Sequence, residues 1–329
     1  MTKKRAEANV VRRMVIPIGT RNVCVFDFDF ARQSREFLAG LDPEYYAFVA
    51  KRMLPILKTD DCQRAAVTLR MTYSQALENL FALIAAANVS FETIPHWLAL
   101  YYIKDLREIV NEIRTPTVDG KRRSPSKNPF HKIASQVLES KQWDEETITG
   151  FADMWRAFSK DFVDTAHDRE YNSFKHGFRA RSGGYTLSMG LEETPGVPAK
   201  PEAMRVVGHS EFGSRTYDME VFLDEKGEPI KNNFRLHAID RNWAPKKYVE
   251  GLPLLSMSIR NLISYFQEQL GVDPKIVSYS RPRTSQAYLK PWSYDVGVQL
   301  TGFQRHYQLN KDAFLTKAQM RAALKKPNV

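Results

Sequence analysis

Residues 60–87 hold the strongest constraint on the fold. Leu69, Tyr73, Ala76, Leu77, Leu80, Phe81 and Ile84 recur at spacings of three and four, the period of a helix with one buried stripe. So long a stripe needs other helices to cover it, which points to a helical bundle. Suitable neighbours are present. Residues 42–55 begin with Asp42 as an N-cap and Pro43 at the first helical position, and carry Tyr45, Phe48, Val49, Met53 and Leu54 as a stripe. Residues 95–113 repeat Trp97, Leu100, Ile103, Leu106 and Ile109, residues 130–139 form a short helix, and residues 252–270 end at Gly271. Residues 144–176 read as the longest convincing helix, with Gly177 just past its end.

Two stretches break the helical pattern. Over residues 23–30 the apolar Cys24, Phe26, Phe28 and Phe30 alternate with Val23, Val25, Asp27 and Asp29, as on a strand with one apolar face. Between residues 185 and 238, the triplets Tyr185, Leu187, Met189, then Met219, Val221, Leu223, then Phe234, Leu236, Ala238 alternate, with residues 225–229 as a hairpin turn. The expected fold is therefore mainly α. It is a bundle of about five helices with a small antiparallel β-sheet inserted before the last bundle helix. Residues 1–40 form an extended lead-in, 41–271 the helical domain with the insertion at about 183–242, and 272–329 a mixed segment with a terminal basic helix. The proline-rich, basic stretch 115–129 reads as an exposed loop.

Composition narrows the class. The chain of 329 residues is 43% hydrophobic and 26% charged, ordinary for a globular protein. Its net charge of +10 favours acidic partners such as nucleic acid, or marks a basic, well-solvated surface. Cys24 and Cys62 read as two buried thiols in a reducing compartment. No apolar run is long enough for a signal or a membrane span, so a cytoplasmic protein without membrane contact is expected.

The functional clue lies on residues 144–176. At about 100° per residue, Phe151, Trp155, Phe158 and Phe162 fall on one face, and Arg169, Asn172 and His176 continue it. A core-facing stripe that runs into an Arg, an Asn and a His requires compensation by an internal carboxylate, a second subunit or a bound anion. The guanidinium fork matches a phosphate, and imidazole moves protons near neutral pH. About 10 Å of helix rise separates Arg169 from His176, so convergence on one phosphodiester needs a long reach or a second copy. The bland reading is equally physical. Arg169 pairs with a carboxylate, and His176, beside Lys175, complements the helix dipole.

Arg169-Glu-Tyr-Asn-Ser-Phe-Lys-His176 resembles the signature of the HEPN superfamily (higher eukaryotes and prokaryotes nucleotide-binding), an Arg followed after four to six residues by His. Asn172 through Gly177 is similar to the Asn-x-x-Lys-His-Gly wording of bacterial members. The resemblance implies a dimerising helical bundle and a metal-independent endoribonuclease of the toxin–antitoxin or antiphage kind, with no cofactor. Arg169 would hold the phosphate, His176 would transfer the proton in an attack by the 2′-hydroxyl, and Asn172 would support them. Lys175 and Arg179, with Arg122 and Arg123 of the basic loop, would contact RNA; an antitoxin or other protein would be a further partner. Two other readings are a non-catalytic module of the same fold that binds a nucleotide, RNA or a partner protein, and a structural protein whose polar stripe is an internal salt-bridge network.

Other motifs point elsewhere. Asp27-Phe-Asp29 lacks the companions of a phosphate-transfer site, and residues 208–213 read as a turn between strands rather than a nucleophile elbow. The remaining histidines are scattered without zinc-site spacing. Arg281-Pro-Arg283 with Tyr279, Tyr288 and Trp292 mixes cations and aromatics as single-strand binders do, or packs the C-terminal piece on the bundle.

Overall fold

The computed structural model describes residues 11–118, 121–122, 128–177, 179–194, 196–197, 199–223, 228–296 and 314–324. It is mainly helical with small antiparallel sheets. Two compact units emerge, one from Met1–Asp168 and Ala244–Asp295, the other from Arg169–Trp243 and Val296–Val329.

The first unit opens with an antiparallel hairpin, β1 (Arg12–Ile18) and β2 (Arg21–Asp27), turning at Gly19 with φ +58°. The expected apolar face is reversed. Val25 is buried, whereas Cys24, Phe26 and Phe28 are exposed. Nor is the lead-in extended throughout. Asp29 caps α1 (Phe30–Ala39) by accepting from the Arg32 amide at 2.9 Å, and Phe30 enters the core as a helical residue. Cys62 is only half-buried, so neither thiol is a core residue.

Further helices follow, α2 (Tyr45–Ile56), α3 (Cys62–Ala87), α4 (Ile94–Leu100), α5 (Ile103–Arg114), α6 (Phe130–Leu138), α7 (Glu145–Val163) and α9 (Pro245–Gln269). On α3 every residue of the stripe read from sequence is buried, and each large apolar side chain so enclosed contributes about 2 kcal/mol. Gly251 of α9 lets this helix close on α3, because an added Cβ would stand 3.0 Å from the Tyr73 ring. The expected helix over 95–113 is two, because Tyr101 and Tyr102 take extended conformations. Residues 115–129 include the two-residue strands β3 (Thr117–Val118) and β4 (Lys121–Arg122), which pair.

The C-terminal piece packs on α7 rather than presenting its aromatics. Tyr288 lies edge-on to Phe151 and over Gly150, where an added Cβ would meet its ring at 2.6 Å. Trp292 stacks edge-on against Phe158, and Arg281 pairs with Asp144 at 3.1 Å.

In the second unit, β5 (Ala180–Ser182), β8 (Gly213–Leu223) and β9 (Pro229–Asn242) form one antiparallel sheet, and β6 (Thr186–Met189) with β7 (Arg205–His209) another. The alternation read from sequence appears as two sheets instead of one. Residues 225–227 of the expected hairpin turn lie outside the described residues. Near the C-terminus, α10 (Lys317–Leu324) is the basic helix, and Phe314 packs on Phe222 of β8.

Candidate functional site

The long helix expected over 144–176 is broken. After α7 the chain turns extended at Asp164 (φ −63°, ψ 109°) and restarts as α8 (Thr165–Lys175). Asp164 acts as a local cap, its Oδ1 accepting from the Ala166 amide at 2.8 Å. Arg107 of α5 holds the break from the other side. Its guanidinium donates to the carbonyls of Phe162 at 2.8 Å and Asp164 at 2.9 Å, and pairs with Asp168 at 2.8 Å. The orphan carbonyls at the end of α7 are thereby satisfied.

The break changes which face of the helix is buried. On α7 the expected stripe holds, with Phe151, Trp155, Phe158 and Phe162 buried. It does not continue. On α8 the buried residue is Glu170, 1% exposed, while Arg169 and His176 are exposed and Asn172 is half-buried. The cost argument that placed Arg169 and His176 against the core therefore does not apply.

Glu170 fixes the orientation of the second unit's part of α8. Its Oε1 accepts from Trp243 Nε1 at 2.9 Å and from Ser214 Oγ of β8. Phe174, one turn on, packs against the Trp243 ring. Glu170 and Phe174 lie about 100° and 140° round the helix from Arg169, so docking them turns Arg169, Asn172 and His176 away. The helix ends where it was expected to. The His176 amide donates to the Asn172 carbonyl at 3.0 Å, and Gly177 takes φ +99°.

Arg169, Asn172 and Lys175 thus share one short helix, and His176 follows directly after it. Lys175 is exposed with its Nζ 5.8 Å from the Tyr171 ring centre. Arg179 follows, also exposed, its amide donating to the Gly177 carbonyl at 2.8 Å. With Arg181 on β5, four exposed cations occur between residues 169 and 181, while the one carboxylate in that stretch points inward. Such an arrangement suits an anion with several oxygens, and the His176 imidazole is open to exchange protons with it. Of the basic loop, Arg122 belongs to β4 and Arg123 lies outside the described residues.

The motifs set aside have structural roles. Asp27 accepts from the amides of Phe28 and Asp29, and its other oxygen faces His96 at 3.5 Å. Residues 210–212 connect β7 to β8. Among the described residues no His, Cys, Asp and Glu side chains gather in a way that could hold a metal ion. No helix among them is long and apolar enough to cross a membrane.

A polar cluster inside the first unit escaped the sequence reading. Asp161 of α7 accepts from Tyr73 at 2.6 Å and Trp292 at 3.2 Å and pairs with Lys247 of α9 at 2.7 Å. Burial pushes the Asp161 carboxyl up, but Lys247, His167 and the hydrogen bonds outweigh it and hold the carboxyl below its ordinary value. Burial and the Asp161 charge push the Tyr73 phenol well above its ordinary value, so it remains a donor. These residues come from distant segments, and no local spacing marks them. The same unit contains an apolar cleft of about 250 Å³ between α2, α3 and α9, lined by Tyr46, Leu83, Ile259 and Ile263 among others.

No family model matches the chain, and no curated protein or solved structure matches it.

Proposed function

We propose that the chain is a HEPN-like endoribonuclease that cuts RNA without a metal ion, acting as a homodimer in a toxin or antiphage role. In this reading α2, α3, α6, α7 and α9 are its bundle and the strands between α8 and α9 its insertion. The observation that carries it is the outward face of α8, where Arg169 and His176 are exposed with Asn172 half-buried beside them, and Glu170 anchors the side turned away. Arg169 holds the scissile phosphate through its fork, and Asn172 orients phosphate or imidazole. The 2′-oxygen attacks phosphorus and the bond to the 5′-oxygen breaks. His176 handles the proton that leaves the one oxygen or joins the other, giving a cyclic phosphate and a 5′-hydroxyl. Lys175 and Arg179, with Arg122 and Arg123, neutralise flanking phosphates.

The test is cleavage of total cellular RNA in EDTA by the purified protein and by His176→Ala. Discrete fragments from the wild type alone support the reading. Fragments from both proteins, or from neither, count against it. One observation favours a second reading, a non-catalytic module that binds RNA, a nucleotide or a partner protein. Arg169 and His176 of one chain are about 10 Å apart along α8, wider than a single phosphate spans. That module would show no cleavage but a ligand-induced rise in melting temperature lost in Arg169→Ala.

A further inference from the structure

The cleft between α2, α3 and α9 lies wholly within the first unit. Close-packed interiors hold few voids larger than a water, and an apolar cavity of about 150 Å³ already admits benzene. At about 250 Å³ this cleft has room for a bicyclic ring. Tyr46, Leu83, Ile259 and Ile263 of its wall are buried, so its body is preformed. The polar atoms along it are one-sided. Tyr101 donates its hydroxyl to Glu78 at 2.7 Å, and Asn79 donates from its amide to the Tyr46 hydroxyl. Asp42, just before α2, is the one charged side chain lining the cleft among the described residues; no Lys, Arg or His among them lines it. One Asp42 oxygen accepts from the Glu44 amide at 3.0 Å. The other has no partner among the described residues.

We propose that the cleft binds a small aromatic amine in its ammonium form. The ring fills the apolar body, and the ammonium donates to the open Asp42 oxygen. Three observations favour this ligand. First, the volume exceeds what a single ring needs but matches a small ligand rather than a peptide or a nucleic acid. Second, a carboxylate only accepts hydrogen bonds, so the open Asp42 oxygen calls for a donor, and its charge calls for a cation and repels a phosphate. Third, Tyr46 and Tyr101 place two phenol rings in the wall, and the face of such a ring attracts a cation. A neutral ring or an alkyl chain would use the apolar wall and leave the carboxylate without a role. The inference does not rest on the nuclease reading, because it concerns another site and a ligand of opposite charge.

The test is isothermal titration calorimetry of the full chain at neutral pH with tryptamine, whose amine is then charged, and with indole, the same ring without the ammonium. Tryptamine is expected to bind with a dissociation constant below about 1 mM, and indole about fivefold more weakly, the weight of one exposed ion pair. Asp42→Asn should bring tryptamine down to the affinity of indole and leave indole unchanged. Asn keeps the oxygen that receives the Glu44 amide, so this variant removes the charge and not the local structure. Leu98→Trp, at a half-buried position of the wall, should block both ligands. Because the larger side chain could also disturb the fold, its melting curve is compared with that of the wild type, and Asp42→Asn decides on its own if the two differ. No tryptamine binding at millimolar ligand, equal affinity for tryptamine and indole, or tryptamine binding untouched by Asp42→Asn overturns the proposal. So does full tryptamine binding by a normally folded Leu98→Trp, which would place the ligand elsewhere.

Discussion

Trp243 donates its indole N–H to Glu170 at 2.9 Å, tying the end of the sheet region to the only buried residue of α8. The carboxylate also receives Ser214, so its desolvation is offset by hydrogen bonds. Glu170→Ala leaves two buried donors without that acceptor and should lower unfolding free energy by about 2 kcal/mol. Glu170→Gln, which keeps a carbonyl oxygen in place, should lose less. Urea denaturation followed by circular dichroism measures both. Equal losses would mean that the contact is not what holds α8.

Arg107 is the counterpart at the other end of α8. It serves the last carbonyls of α7 and the first-turn carboxylate of Asp168 at once. Arg107→Met keeps much of the apolar stem and removes every donor. A loss of about 2 kcal/mol is expected by chemical denaturation, and Asp168→Asn should cost less, since it removes one partner of three. A neutral Arg107→Met would show that Asp164 alone suffices to end α7.

The Asp161 cluster gives a pH dependence with a defined sign. Its carboxyl titrates lower in the folded chain than when unfolded, so the carboxylate stabilises the fold above its ordinary value of 3.8. That contribution declines as pH falls below about 4 toward the lower folded value. Melting temperature measured from pH 6 downward should fall more steeply in this range for the wild type than for Asp161→Asn. Lys247→Met, which leaves the buried carboxylate without its cation, should cost about 3 kcal/mol at neutral pH. Parallel acid limbs for the wild type and Asp161→Asn would remove Asp161 as a source of acid sensitivity.

The mainly helical character was legible in the sequence because its signal is local. The α3 stripe from Leu69 to Ile84 and the stop at Gly271 follow from helical period and chain punctuation. The face of α8 was not legible by the same rule. Extending the α7 stripe assumes one unbroken helix, and a single extended residue at Asp164 resets the phase. The signal was present in the pair Asp164-Thr165, both good capping residues, but the guanidinium that stabilises the break comes from Arg107, 57 residues earlier. The hairpin face failed for a related reason. Alternation told Cys24, Phe26 and Phe28 from Val23 and Val25, but not which set would face the core.

The wide spacing of Arg169 and His176 yields the sharpest functional prediction. If no single α8 brings both groups to one phosphate, each working site takes Arg169 from one chain and His176 from its partner. Arg169→Ala and His176→Ala should then each abolish cleavage alone. Mixed after gentle dissociation, half of the reassociated dimers would hold one chain of each kind, and one of their two sites would be intact. Cleavage should return to about a quarter of the wild-type rate, as two-fold symmetry requires. If both groups act within one chain, or if neither is catalytic, the mixture stays inactive. Arg169→Lys separates charge from geometry, because a lysine keeps the cation but loses the planar fork. A mixture of Arg169→Lys with His176→Ala that remains well below the wild-type chain mixed with His176→Ala would assign the fork, and not the charge alone, to phosphate recognition.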